Sequence, residues 1–358
     1  METLERKSVR WILVFIISIF IFVTLCYFIT KRFDPFYKYG KREHWDKYNI
    51  IKHERFIDVG LIRSFDYDTL LIGSSMVENW DMDFFREQLD CNAIKVPLSG
   101  LKISETVDLL NVATKVGKAQ KYYISLDVAK LANNDDKSRF SDYMLKDSFL
   151  ADVKYSLNYE SWYRYYPLNF MMNSFSKINL GITNKISEKW ISLFGGDLDI
   201  DNKDNWSEYY VFDKETVLNN YYSGKYSVSK VDLNNLYQRM CKKVDYLFES
   251  VHFDKEAEYN FFLPPYSILF WYDANKFGYF ETYMKVQDYF MEKAKEYNIK
   301  VYNFQSAECI LDLNNYKDTS HYSPEINNWM TDEFLESEKY LYTKSYSYLI
   351  ESLNNFSL

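Results

Sequence analysis

From Trp11 to Thr30 the chain reads "WILVFIISIFIFVTLCYFIT", without a single charged residue. At about 1.5 Å per residue this stretch just crosses a hydrocarbon core of roughly 30 Å. It is longer than the apolar region of a typical signal peptide, and no small-x-small cleavage site follows it. A helix buried in a globular core seldom lacks polar residues on every face. Residues 11–30 therefore read as one transmembrane helix behind a short tail, 1–10. Arg6, Lys7 and Arg10 precede it, and Lys31, Arg32, Lys38, Lys41 and Arg42 follow it. The Lys and Arg count slightly favours a cytoplasmic C-terminal side, but large domains translocate largely regardless of charge and short N-terminal tails commonly stay inside. The expectation is an extracytoplasmic domain in the cell membrane, with a cytoplasm-facing domain as the alternative.

The chain has 358 residues, enough to bury a sizeable core beyond the helix. Aromatics reach 19%, which predicts a large core together with an aromatic-lined surface. The net charge of -8, with no sustained basic stripe outside the membrane flank, argues against a nucleic-acid partner. Cys26 lies in the apolar segment, and Cys91, Cys241 and Cys309 stand far apart with no CxxC spacing. That pattern predicts neither a zinc site nor a disulfide framework, and neither metal nor cofactor is expected.

Residues 31–65 read as a juxtamembrane connector, and 66–340 as the main domain. "DYDTLLIGS" (Asp66–Ser74) has the short apolar run of a buried parallel strand. A helix is expected over Met76–Leu89, a second strand in "NAIKVPLSG" (Asn92–Gly100), and a helix over Ile103–Gly117 capped by Ser104. "KYYISLD" (Lys121–Asp127) gives a third strand. This alternation predicts an α/β fold with a parallel sheet. From about 132 to 230 the rhythm dissolves into Asn-, Asp-, Ser- and Tyr-rich sequence, read as an insertion that serves as a cap or lid, or as a plain structural excursion. It resumes with a helix over Asp232–Val251, a strand in Glu258–Ser267, a helix over Phe280–Tyr297, a strand in Lys300–Phe304, and a last helix starting near Pro324. Residues 341–358 read as a C-terminal tail.

Gly73-Ser74-Ser75 ends the first strand, and Asp318 and His321 stand three apart before the last helix. A hydroxyl is a poor nucleophile alone. It needs a neutral imidazole to take its proton and a carboxylate to fix the tautomer of that ring. Open α/β sheets place sites beyond the carboxyl ends of their strands, where Ser75, Gly100 and the segment after Asp127 all fall. Taken separately, the serine pair also suits a turn with a helix cap, and Asp318 a capping residue. His44, His53 and His252 read as incidental.

Together, "IGSS" after the first strand, "PLSG" at the second strand end and "DTSH" near the C-terminus resemble the SGNH/GDSL hydrolase superfamily, over residues 66–130 and 250–330. The chain is similar to its membrane-anchored branch, the D-alanyl transfer protein of teichoic acid synthesis and alginate-type O-acetyltransferases, which place Gly-Ser-Ser or Gly-Thr-Ser at this turn. The resemblance implies a flavodoxin-like three-layer α/β/α sandwich and acyl-ester chemistry on a cell-surface polysaccharide or teichoic-acid-like polymer. It also implies an extracytoplasmic domain, and a membrane-bound O-acyltransferase is a candidate partner beside the polymer. Carried over by position, Ser75 is the nucleophile with Ser74 as runner-up, His321 the base, and Asp318 its orienting carboxylate. The backbone N–H groups of Ser75 and Gly100 would form part of the oxyanion hole. One block departs: "SLDVAKLANND" has no Gly-x-Asn-Asp. Asp127 would repel an oxyanion if ionised, and Asn133 or Asn134 substitutes only if the loop folds back. Two functions follow, a serine-dependent acyltransferase or esterase, and a catalytically inactive scaffold that holds a polymer or an acyltransferase.

Overall fold

A computed structural model describes residues 2–40, 54–166, 211–224, 231–336 and 338–357. His44, His53 and much of the insertion expected at 132–230 lie outside them. Along the chain, α1 (Glu2–Phe33) and α2 (Glu54–Ser64) precede β1 (Thr69–Gly73). Next come α3 (Ser75–Glu78), α4 (Met82–Leu89), β2 (Ala93–Pro97), α5 (Ile103–Val116), β3 (Lys121–Ser125) and α6 (Val128–Leu131). Helices α7 (Asp142–Leu145), α8 (Phe149–Ser156) and α9 (Lys214–Tyr222) follow. The chain then runs through α10 (Leu236–Ser250), β4 (Glu258–Leu263), α11 (Ile268–Lys276), α12 (Phe280–Glu296), β5 (Lys300–Asn303), α13 (Pro324–Glu336) and α14 (Tyr346–Asn355). Two units result: Met1–Ser64 with Phe140–Leu198, and Phe65–Arg139 with Asp199–Leu358. The segment expected as a connector thus belongs to the first unit, and the expected insertion is divided between the two.

In the first unit, α1 is long and apolar enough to cross a membrane, and most of its length is uncovered. Its C-terminal end is anchored differently. Asp34 leaves the helix at φ 43 and its carboxylate accepts from Tyr39 N at 2.8 Å and the Tyr155 hydroxyl at 3.0 Å. That hydroxyl in turn accepts from Phe36 N at 2.9 Å. Lys38 pairs with Asp152 at 3.3 Å, and Arg63 with Asp147 at 2.6 Å. Gly60 of α2 has no room for a side chain, since a Cβ there would lie 1.9 Å from Phe36 O.

The second unit is built on a five-stranded sheet of order β2-β1-β3-β4-β5, parallel throughout. The chain steps from β1 to β2 in one direction and then always in the other. Right-handed crossovers therefore place α3 and α4 on one face, and the helices of the later crossovers on the opposite one. The strand side chains follow suit with period two. Phe261 meets Phe248 of α10 and Phe290 of α12, at centroid distances of 6.4 and 5.4 Å. Its neighbour Phe262 meets Trp80 and Phe334 of α13, both at 5.5 Å. Tyr123 joins that second layer against Phe85 of α4 and Phe334.

Several local expectations change. The helix expected over Met76–Leu89 is two, interrupted at Asn79–Asp81, where the Asp81 carboxylate accepts from Phe84 N at 3.1 Å and starts α4. Ser104 does not cap α5, which begins at Ile103. The Asp136 carboxylate caps it from a distance, accepting from Ile103 N at 3.1 Å and Ser104 N at 3.5 Å. Helix α11 had no counterpart in the sequence reading. The expected tail instead carries α14, and Phe356 at its end packs edge-on against Tyr272 of α11.

Trp80 fills the break between α3 and α4. It is fully buried, stacks on Phe334, and its Nε1–H donates to Thr331 Oγ1 at 2.9 Å. Trp80→Ala is expected to lower the unfolding free energy by about 3–5 kcal/mol, and Trp80→Phe by about 1–2 kcal/mol. Urea titration of the detergent-solubilised chain checks both values, and equal costs for the two variants would disprove the packing account.

Candidate active site

The fully buried run of β1 ends at Gly73 because the next turn leaves no space there. A Cβ on Gly73 would lie 2.2 Å from Val77 Cγ2 and 2.8 Å from the Ser125 side chain. Ser74 occupies the N-cap of α3, its Oγ accepting from Met76 N at 3.4 Å while its carbonyl accepts from Val77 N at 2.9 Å. Ser75 is the first residue of that helix, and its side chain points elsewhere: Ser75 Oγ lies 2.8 Å from His321 Nε2.

His321 arrives from the other end of the chain through a tight loop. Lys317 N donates to His321 O at 3.0 Å, and Tyr316 bridges Tyr322. The segment after β4 holds this loop. The Tyr316 hydroxyl donates to Pro265 O at 2.9 Å, and Ser267 Oγ donates to Thr319 O at 2.7 Å. Within the loop Asp318 accepts from His321 N at 2.8 Å and Ser320 N at 2.9 Å. His321 Nδ1 lies 2.8 Å from Asp318 Oδ2. Burial acts to raise the Asp318 carboxyl, but the bonds from the His321 ring and from two backbone N–H groups outweigh it and hold it down at about 2. Serine, imidazole and buried carboxylate therefore form one hydrogen-bonded chain.

The other expected positions lie around this chain. Gly100 adopts φ +66, a left-handed conformation that suits glycine. Its turn is fixed to β1 and α3, since Leu98 N donates to Gly73 O at 2.9 Å and Ser99 Oγ donates to Glu78 Oε1 at 2.8 Å. Asp127 is buried at the N-cap of α6, one of its oxygens unpartnered among the described residues. Its charge falls on Tyr266 and Tyr322, whose hydroxyls are pushed far up by burial first and by Asp127 second. Asn133 and Asn134 are both exposed, and the Asn133 side chain accepts from Asp135 N at 3.3 Å, closing its own turn.

Sequence reasoning missed the charges that support these turns. Glu105 is fully buried and is gripped by Arg139, with Nε–Oε1 at 2.6 Å and Nη2–Oε2 at 2.8 Å. The same guanidinium donates to Ser99 O at 3.1 Å and Gly100 O at 3.3 Å. Lys95 of β2, also fully buried, donates to Glu78 O at 2.7 Å and Trp80 O at 2.8 Å. A lone lysine inside the apolar "AIKVP" was a readable signal, whereas nothing local marked Glu105 or Arg139. Burial lowers the Lys317 ammonium, against the opposing charges of Asp318 and Glu78. Among the described residues no cluster of His, Cys, Asp and Glu suits a metal ion. No protein-family model matches the chain, and no curated protein matches it.

The depressed Asp318 carboxyl makes a signed prediction. Its folded value of about 2 lies below the ordinary 3.8, so its stabilisation is complete above pH ~4 and is lost as pH falls through about 2. The stability gap between wild type and Asp318→Asn should narrow by about 2 kcal/mol between pH 6 and pH 2. Urea unfolding at a series of pH values measures it, and a gap that stays constant across that window would contradict the assigned environment.

Proposed function

We propose that the chain is a membrane-anchored, serine-dependent acyl-ester hydrolase or O-acyltransferase of SGNH type. The observation that carries the reading is the chain Ser75 Oγ–His321 Nε2 at 2.8 Å and His321 Nδ1–Asp318 Oδ2 at 2.8 Å. The strand order 2-1-3-4-5 supports it, being the flavodoxin-like order with its reversal between β1 and β3, where a ligand crevice is expected. Ser75 follows β1 on one side of that reversal, and Asp127 follows β3 on the other.

The geometry suits a double displacement. With Nδ1–H donated to Asp318, the lone pair on His321 Nε2 accepts the Ser75 proton. Ser75 Oγ bonds to the carbonyl carbon of an acyl ester, and the carbonyl π pair moves onto oxygen. The tetrahedral adduct collapses, the bond to the alcohol breaks, and the departing oxygen takes the proton from His321. Acyl-Ser75 remains. A second hydroxyl, of water or of a polymer, gives its proton to His321 and attacks the acyl carbon, and collapse returns that proton to Ser75 Oγ. Water as acceptor gives hydrolysis and a polymer hydroxyl gives transfer. As the first residue of α3, Ser75 has a backbone N–H with no intrahelical partner, which in this reading serves as an oxyanion donor. The substrate in this reading is a cell-surface glycan or teichoic-acid-like polymer, reached by a domain on the outer side of the membrane. A membrane-bound O-acyltransferase is the natural partner to supply the acyl group.

The test uses the full chain in detergent micelles, with 4-nitrophenyl acetate turnover and a fluorophosphonate label located by mass spectrometry. Ser75→Ala and His321→Ala should each lower turnover by about four to six orders of magnitude, and Asp318→Asn by about four. The label should sit on Ser75. A wild-type chain that neither turns over nor accepts the label is the catalytically inactive scaffold instead.

A further inference from the structure

We infer that Lys130 is the cation that faces the oxygen anion formed when an acyl group is transferred to Ser75. The inference rests on the serine chemistry proposed above. Leu98 N bonds Gly73 O at 2.9 Å and Ser99 bonds Glu78 of α3 at 2.8 Å, so the Ser99–Gly100 turn lies against the segment that carries Ser75. Among the described residues, one atom lies within 4 Å of where a side chain on Gly100 would begin. A Cβ built there would have Lys130 Nζ at 3.8 Å as its neighbour. Lys130 reaches this position from α6, just beyond β3, the strand paired directly with β1. Its backbone is fixed, with Lys130 N donating to Asp127 O at 2.9 Å and Lys243 Nζ donating to Lys130 O at 3.4 Å.

Lys130 is half-buried, and among the described residues its ammonium has no carboxylate or hydrogen-bond partner. The charged groups on either side of the Gly100 turn in sequence have partners of their own. Lys102 pairs with Asp135 at 2.8 Å, Arg139 with Glu105 at 2.6 Å, and Asp136 accepts from the first N–H groups of α5. A half-buried ammonium without a counterion attracts an anion that arrives at that point. The chemistry supplies one. As Ser75 Oγ bonds to the acyl carbon, the hydroxyl proton moves to His321 Nε2 and the carbonyl pair moves to oxygen. Lys130 takes no part in these proton transfers and acts by charge alone. On collapse the pair returns to the carbonyl, the alcohol bond breaks, and the alcohol takes its proton from His321.

Lys130→Met, Lys130→Gln and Lys130→Arg are to be compared with wild type and Ser75→Ala, using 4-nitrophenyl acetate and an alkylboronic acid that forms an anionic tetrahedral adduct on serine. In Lys130→Met, kcat should fall roughly 10²–10³-fold with KM within about threefold, and boronate affinity should weaken in parallel. Lys130→Arg should recover much of both, and melting temperatures should match wild type. If Lys130→Met loses its fold, Lys130→Gln carries the same comparison. Turnover and boronate affinity that both survive Lys130→Met or Lys130→Gln, while Ser75→Ala is dead, overturn the role of Lys130 alone. Wild-type turnover no greater than that of Ser75→Ala overturns the serine chemistry, and the role of Lys130 with it.

Discussion

A parallel sheet has two apolar faces and must be covered on both. Strands β1 and β2 are buried at every residue, and β3, β4 and β5 at all but the first. Their connections must therefore leave the sheet, form helices and return in the same direction. The consequence reaches the site. All five strands deliver their carboxyl ends to one edge, so everything that follows a strand end gathers there. Ser75 follows β1, Gly100 follows β2, Asp127 and Lys130 follow β3, and Ser267 follows β4. The Asp318–His321 loop comes after β5 and is held by Ser267 and Pro265. Residues 246 positions apart meet at 2.8 Å because of this rule of chain direction, without any special device.

The same edge concentrates buried charge. Lys95 sits inside β2 and spends its donors on the carbonyls of Glu78 and Trp80, at the end of α3. Helix C-terminal carbonyls carry partial negative charge, so an ammonium there is well matched. Glu105 and Arg139 do for the Gly100 turn what Lys95 does for α3, tying backbone to a buried ion. Such pairs add little net stability once desolvation is counted. They fix position, because an ion out of water tolerates few alternative placements. The two turns that flank Ser75 are the ones so fixed.

How much of this was legible in the sequence divides along a physical line. Elements specified by their own residues were readable: β1, β2, β3, β4, β5 and α12 fall within the segments expected from apolar runs and helical periodicity. Elements specified from elsewhere were not. Asp136 lies 33 positions from the helix start it caps, so Ser104 looked like the better local choice. Trp80 breaks the helix after β1 because it finds Phe334 and Thr331, neither of which its neighbours in sequence reveal. The serine, the histidine and the aspartate were legible because their chemistry is recognisable by residue type. The charges that hold the neighbouring turns are ordinary side chains until the fold buries Lys95 and Glu105 and sets Arg139 against Glu105.

The two serines of the turn illustrate how a fold assigns roles to identical groups. Ser74 Oγ is occupied by Met76 N, and its residue is buried at the cap of α3. To act on a substrate it would have to give up that bond and emerge from the turn. Ser75 is one step on, where a helical backbone turns the side chain toward the strand edge and His321. Gly73 enforces the difference, since its missing side chain lets Val77 and Ser125 close in and leaves the turn a single path. A similar assignment separates the charges at the end of β3. Asp127 is turned into the buried tyrosines Tyr266 and Tyr322, and Lys130, three residues on and almost one helical turn away, lies over Gly100. A short helix thus separates two opposite charges, holding the carboxylate against buried tyrosines and the ammonium at the Gly100 turn.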